Sequence, residues 1–383
     1  MKTDKLVILI FSDWYAPGFK AGGPIQSCVN LVRYLSDQYC FFVVCGDRDL
    51  GDAQPYENVP LDQWVNGLSG ETIFYTDSRT LSRQKIRRII TELNPHAVYL
   101  NSMFSIPFTI LPILVCWQLK NRPLVVLAPR GMLQAGALQL KASRKKIFLQ
   151  LFRLLGWQQI IRFQATDAQE LKDIRQHFPS ASALIAENIP NRLPDGPPPA
   201  TKEPGILNLV FISRIHPKKN LLFLLELLTE WPGKAQLTLD IYGDAGDPAY
   251  DSQCKSLAEQ LPPGRVVRFM GPIENKLVFA TLAAYHAFVL PTRGENFGHA
   301  IFEALETGKP VLISDQTPWR NLEAGNAGWD IPLDRKDRYW KALDQLAIMD
   351  QTAYNLWSAK ARSLAQQYVE QAGFRTKYEE LFA

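Results

Sequence analysis

Cysteine is scarce and unpatterned in this sequence: Cys28, Cys40, Cys45, Cys116 and Cys254 are odd in number and show no paired metal-ligand spacing. They read as scattered core thiols in a reducing compartment, which excludes a disulfide framework and a zinc ribbon. Long hydrophobic runs are missing too. The uncharged stretch Ser105 to Leu119 falls short of a bilayer span and contains Pro107 and Pro112, so it reads as a buried helix. At the N-terminus, six consecutive apolar residues (Leu6 to Phe11) follow Asp4, which is too short and too acidic for a signal peptide and suits a first strand. Composition is that of an ordinary globular protein, so disordered and fibrous classes are excluded. No convincing nucleophile or cluster of metal ligands stands out anywhere.

What is present is length and rhythm. At 383 residues the chain has room for two domains, each with its own core. Residues up to Leu193 carry 22 Lys+Arg against 15 Asp+Glu, a balance of +7, and the remainder carries 20 against 23, or −3. A basic first half suits something anionic. In that half, "KLVILIFS", "FFVVCG", "TIFYT", "AVYLNS", "LVVLAP" and "IIRFQAT" alternate with helical patterns such as "PIQSCVNLVRYL". Such alternation predicts a parallel sheet covered by helices on both faces. The proline-rich stretch Asn191 to Gly205 interrupts it, and then "LNLVFIS", "QLTLDIYG", "VVRFMG", "HAFVLPT" and "PVLIS" restart it. The expected organisation is a first domain over 1–190, an extended linker over 191–205, a second domain over 206–365, and a C-terminal helix over 366–383 that crosses back to the first domain. The architecture is α/β, with two Rossmann-like doubly wound parallel-sheet domains facing a cleft and an all-helical C-terminal tail.

Ligands of such sheets bind at the carboxyl ends of strands, so the loops there matter most. The first strand leads to Gly22 and Gly23 at a helix start, where backbone amides can approach an anion; a simple turn is the competing reading. "LNLVFIS" leads to "RIHPKKN", in which Arg214 and Lys219 can converge on a diphosphate, or merely form a solvated basic loop. "HAFVLPT" leads to Glu295, Asn296, Phe297 and Gly298, with a helix expected from Phe297 or Gly298. Glu303 then lies roughly 7–8 Å along that helix, about the reach from a diphosphate to a ribose. A carboxylate there can accept both hydroxyls of a ribose diol while the helix-start amides take phosphate oxygens. Two surface charges on an amphipathic helix are the alternative.

These residues resemble the retaining family-4 glycosyltransferases of the GT-B fold. "ENFGHAIFE" followed by "ALETGKPVLISD" is the most specific element, supported by "ISRIHPKKN", "YAPGFKAGGP", "IYGDAGD", "FMGPI" and "ENIPNRL" in the same order. The resemblance implies that Arg214 and Lys219 neutralise a donor diphosphate and that Glu303 holds the ribose. Glu295, with the backbone of Asn296, Phe297 and Gly298, would contact the donor sugar and phosphates, and Gly22 and Gly23 would lie near the diphosphate or the acceptor. It further implies sugar transfer with retention and no essential metal or other cofactor. The partners would be a nucleotide-sugar donor and a saccharide or lipid-linked saccharide acceptor of bacterial surface polysaccharide synthesis, with no nucleic acid. One departure is plain. Where many members carry a cleft histidine, "PRGML" places Arg130, which cannot act as a base near neutral pH and would position or stabilise an anion. This pattern looks like a surface-polysaccharide branch.

Other signals count for less. Asp47-Arg48-Asp49 spells the D-x-D of metal-dependent, single-domain glycosyltransferases, yet that reading leaves the second half unexplained. "GDAGD" lacks the third glycine of a dinucleotide fingerprint. Lys141, Arg144, Lys145 and Lys146 beside Phe148 and Phe152 form either a basic aromatic face for anionic lipid or a solvated face over a core stripe. The expected location is the cytoplasm, at most peripheral on the inner membrane. A nucleotide-sugar epimerase of the same fold and a non-catalytic nucleotide-sugar sensor remain the rival functions.

Overall fold

Two apolar rhythms in the sequence become two separate sheets. The computed structural model describes residues 5–139, 142–193 and 196–383. The chain divides into unit 1, which runs up to Ile189 and takes in Gly373–Ala383, and unit 2, Pro190–Ala372.

In chain order unit 1 contains β1 (Leu6–Ser12), α1 (Gly23–Leu35), β2 (Tyr39–Gly46), β3 (Trp64–Asn66), β4 (Thr72–Thr76), α2 (Arg83–Leu93) and β5 (Ala97–Leu100). It continues through α3 (Leu111–Gln118), β6 (Leu124–Leu127), α4 (Ala135–Gln139), α5 (Ala142–Leu154), β7 (Ile161–Ala165), α6 (Ala168–His177) and β8 (Ser182–Ile185). The sheet order is β3-β4-β2-β1-β5-β6-β7-β8, parallel except for β3. Leu9, Ile10 and Phe11 of β1 are fully buried, as a central parallel strand covered on both faces requires. The antiparallel β3 and the edge strand β8 were not foreseen: three or four half-exposed residues give neither an apolar run nor an alternation.

Unit 2 contains β9 (Ile206–Ile212), α7 (Leu221–Glu230), β10 (Gln236–Tyr242), α8 (Pro248–Ala258), β11 (Arg265–Gly271), α9 (Val278–Ala283), β12 (Ala287–Leu290), α10 (His299–Glu306), β13 (Val311–Ser314) and β14 (Gly328–Ile331). Helices α11 (Lys336–Ile348) and α12 (Gln351–Ala372) end it. The order β11-β10-β9-β12-β13-β14 is 3-2-1-4-5-6 when counted within the unit, so the direction of winding reverses between β9 and β12. The last helix, α13 (Phe374–Phe382), belongs to unit 1. There Tyr378 Oη donates to Glu187 O at 3.1 Å, Lys377 pairs with Glu187 at 2.6 Å, and His96 Nε2 meets Phe382 O at 2.6 Å.

The proline-rich segment is extended and is fastened to unit 2. Buried Lys202 sends its ammonium to the carbonyls of Glu203, Ala347 and Met349 at 2.7–3.2 Å, the last two around the end of α11, where the helix dipole favours a cation. Pro194 and Asp195 of this segment, and Lys141 of the basic stretch, lie outside the described residues. In α5 the aromatics do not face outward with the lysines: Phe152 is buried, and Phe148 packs on Phe104 with ring centres 5.4 Å apart. They are the core stripe of an amphipathic helix. Among the described residues no helix is long and apolar enough to cross a membrane.

His286 fixes the start of β12. Its Nδ1 accepts from Asn208 N at 3.0 Å and its Nε2 lies 2.9 Å from Thr201 O, so only the neutral Nε2–H tautomer satisfies both. Burial pushes its pKa down to about 4. Because the folded value lies below that of the unfolded chain, this stabilisation is complete above about pH 6.5 and disappears as pH falls towards 4. Urea unfolding of the protein and of His286→Gln should therefore differ in pH dependence across that window by roughly 3 kcal/mol; parallel curves would show that the imidazole protonates freely in the fold.

Candidate functional site

In unit 2 the loops that follow β9 and β12 meet at the point where the winding reverses. β9 runs through Ser213 into Arg214, and a single 3-10 turn, Pro217–Lys219, precedes Asn220 and α7. Gly243, at the end of the neighbouring β10, makes this exit possible: a Cβ there would stand 1.9 Å from Ser213 O and 3.3 Å from Arg214 Cα. The β12 loop is bound directly to the β9 loop. Lys218 O accepts from Arg293 N at 2.8 Å and from Thr292 Oγ1 at 3.1 Å, and Thr292 is completely buried. Glu295 N in turn donates to Gln316 O at 3.0 Å, which ties the loop to the end of β13.

This framework brings Arg214, Lys218, Lys219 and Glu295 together. Lys219 Nζ bonds Glu295 Oε1 at 2.5 Å, and both side chains are mostly shielded. Arg214 is an exposed residue, yet the protein around its guanidinium lowers the pKa by desolvation, with Glu295 and Asp244 opposing. Lys218 is also lowered, first by desolvation and then by the neighbouring Lys219 and Arg214 against the pull of Glu295. Three cations thus gather around Glu295, with Asp244 a second carboxylate acting on Arg214, and the positive charge left in excess gains from an added anion. Lys218 was not singled out from the sequence, although its place beside Lys219 in "HPKKN" was a usable signal.

The helix α10 starts at His299, one residue beyond Gly298, whose φ of 80° places it in the left-handed region that glycine tolerates. No side chain caps this helix. Phe297 does not contribute a side chain to the site. Its ring is buried among Trp319, Phe302 and Tyr368, and its carbonyl accepts from Trp319 Nε1 at 2.7 Å. Packing thereby holds the backbone that runs from Asn296 to Gly298. Glu303 is the fifth residue of α10 and only 4 % exposed. Its Oε1 finds no hydrogen-bond partner. Burial pushes its pKa up to about 8, against a partly offsetting interaction with the Asn275 side chain in the loop after β11. Asn275 is a second residue that the sequence did not reveal, since nothing in its local pattern points to the neighbouring helix α10.

Unit 1 makes its own constellation where β1 and β5 are neighbours. Gly22, with φ 67° and open space on its side-chain face, caps α1, and Gly23 begins the helix. Asn101, just past β5, donates to Pro24 O at 2.9 Å and accepts from Arg130 Nε at 2.8 Å, so it joins the α1 start to Arg130. Arg130 also donates to Tyr99 Oη at 2.5 Å and to Asn188 Oδ1. Much of its hydrogen-bonding capacity is spent inside unit 1. Asp49 accepts from Phe19 N and Lys20 N at 2.6 and 2.9 Å, and Asp47 pairs with Arg48 at 2.8 Å. Of the two D-x-D carboxylates, Asp49 therefore braces the loop that leads to Gly22, while Asp47 holds Arg48. Among the described residues no group of three or more His, Cys, Asp or Glu side chains is arranged to hold a metal ion.

A parallel 3-2-1-4-5-6 sheet with cations and an uncapped helix start at its winding reversal is the architecture of a nucleotide-binding domain. Residues 200–363 match the family model described as Glycosyl transferases group 1, so unit 2 carries a group 1 glycosyltransferase domain. In fold, the chain is similar to a sucrose-phosphate synthase from Thermosynechococcus elongatus, at 15% identity, 99% coverage of both chains and a TM-score of 0.69. It is similar to Anabaena HepE in complex with UDP and glucose, at 14% identity, 98% of this chain, 99% of that chain and a TM-score of 0.69. It is also similar to WaaG, a glycosyltransferase involved in lipopolysaccharide biosynthesis, at 13% identity, 98% of both chains and a TM-score of 0.60. The GT-B class expected from the sequence is the fold of these proteins. No curated protein sequence matches the chain.

A carboxyl group whose folded pKa is raised stabilises the fold fully below about pH 4.5 and loses that contribution as pH rises through about 8. Glu303→Gln should therefore gain stability relative to the parent between pH 5 and pH 9, by an amount on the order of a few kcal/mol. Chemical denaturation at both pH values measures it, and a constant difference would mean that Glu303 ionises without penalty.

Proposed function

We propose that the protein is a retaining glycosyltransferase. It moves a sugar from a nucleotide-diphosphate donor to a hydroxyl of a saccharide or lipid-linked saccharide in bacterial surface polysaccharide synthesis, without a catalytic metal. The observation that carries this reading is Glu303: a buried carboxyl with an unpartnered oxygen, in the first turns of a helix that begins just after Glu295, the partner of Lys219. A ribose diol supplies the missing donors, and a diphosphate supplies the missing anion.

In the proposed reaction the bond between the anomeric carbon and the β-phosphate oxygen breaks, and its electron pair stays on the phosphate. Arg214, Lys218 and Lys219 hold the charge that develops there, a role for fixed cations rather than for a nucleophile. The acceptor oxygen bonds the anomeric carbon on the face the diphosphate leaves, and its proton passes to the departing phosphate. Glu295 holds Lys219 in place before the donor arrives and lies at the loop position nearest the sugar. HepE was solved with UDP-glucose, which puts UDP-sugars first among the donors to screen.

Thermal shift against UDP, GDP, ADP and their sugars should show stabilisation by one nucleotide class. Glu303→Ala should weaken that binding by about 1.5–3 kcal/mol for each hydrogen bond lost. Lys219→Ala should mainly lower turnover, because its charge matters most as the diphosphate leaves. Calorimetry in which both variants bind nucleotide like the parent would remove the site from unit 2. Interconversion of two sugar nucleotides without an acceptor would favour the epimerase instead.

A further inference from the structure

Helix α5 has an apolar face that none of the described residues covers. Its inward face is ordinary, with Leu149 and Phe152 buried in the core. On the outward face Ile147, Leu151 and Leu154 follow one another at helical spacing and are 56, 50 and 82 % exposed. At about 100° per residue these three lie within a sector of about 60°. Exposed Arg144 flanks that sector on one side and exposed Lys146 and Arg153 on the other. Surface helices normally turn polar residues outward, so this stripe is the reverse of what water alone selects. Ile106, 65 % exposed, follows two residues after Phe104, whose ring packs on Phe148 of α5.

The charge around the stripe says what covers it. From Leu93 to Thr166 the sequence contains no Asp or Glu but nine Lys or Arg. A protein partner or a second copy of this chain would have to bring carboxylates to meet that field. A bilayer with anionic headgroups meets both features at once: acyl chains take the aliphatic stripe, and phosphates take the flanking cations. We infer that the outward face of α5, centred on Ile147, Leu151 and Leu154, inserts shallowly into an anionic lipid surface. The inference deepens the proposed function by placing a lipid-linked acceptor at this face, and it rests on that reading only for the acceptor, not for the contact itself.

Flotation of the full chain with vesicles of phosphatidylcholine, with and without phosphatidylglycerol, tests it. Binding is expected only with the anionic lipid and should weaken as salt rises. Leu151→Glu with Leu154→Glu should lower partitioning by at least about tenfold, and Lys146→Ala or Arg153→Ala by about fivefold each at low salt. The UDP thermal shift of these variants should match that of the parent, so a failure of the nucleotide reading and a failure of the membrane reading are seen separately. Absence of vesicle binding, equal binding to neutral vesicles, or an unaffected double variant would overturn the inference. So would a dimer of the parent that Leu151→Glu dissociates without any lipid dependence, which would assign the stripe to a second copy.

Discussion

The candidate site depends on one carbonyl oxygen. Lys218 O accepts from the backbone of Arg293 and the hydroxyl of buried Thr292, and so joins the loop that carries the cations to the loop that carries Glu295. The two strands that deliver these loops, β9 and β12, are neighbours in space but far apart in sequence, and only the 3-2-1-4-5-6 order sets them side by side. Without that bond, Arg214, Lys218 and Lys219 would repel one another on a free loop. With it, Glu295 is held among them, pairing with Lys219 and acting on Arg214 and Lys218.

Most other buried charges are compensated, which is what gives Glu303 its meaning. Lys202 meets three carbonyls, Asp240 accepts from Arg268 and Tyr285, and Glu170 accepts from Thr166 and from Gly131 N. Glu306, three residues along the same helix, also leaves one oxygen without a partner, but the other takes Arg192 Nε and Leu193 N and fixes the segment that enters unit 2. Among the described residues Glu303 forms no ion pair with a cation. Leaving such a group buried costs about 1–3 kcal/mol, a cost that the ribose hydroxyls of the proposed donor would offset.

The architecture was legible because parallel strands buried on both faces must be continuous apolar runs. The site segments were legible because the residues following such strands mark the carboxyl end of the sheet. What stayed hidden depends on direction rather than order. Asn275, in the turn that opens α9, reaches Glu303 on the neighbouring α10, so no local pattern announces it. Phe297 lies in a candidate ligand loop, and only its packing on Trp319 and Tyr368 shows that its ring is core. In α5 the sequence offers aromatics and aliphatics at compatible spacing on different sides of one helix, and which side turns inward was settled by Phe104 and the core beneath it, not by the helix itself. The short strands β3 and β8 are held by their neighbours' hydrogen bonds and have too few residues to display a period.

Arg130 is where the physical reading and the resemblance pull on each other. It sits at φ 55° beside Gly131 at φ 73°, a left-handed pair for which an arginine costs on the order of 1–2 kcal/mol. Glu170 holds the Gly131 amide at 2.6 Å, and Asn101, Asn188 and Tyr99 hold the guanidinium. Tyr99 passes the contact through Gln164 to Tyr378 of α13, so the C-terminal helix braces the same network. Strain this thoroughly supported keeps one orientation of a permanent cation next to the glycine-opened start of α1. A histidine at that position could take a proton; an arginine cannot. Under the proposed function the substitution leaves the departing diphosphate as the proton's destination, and the work left to Arg130 is to hold Asn101, and through it the first turn of α1, against whatever anion approaches.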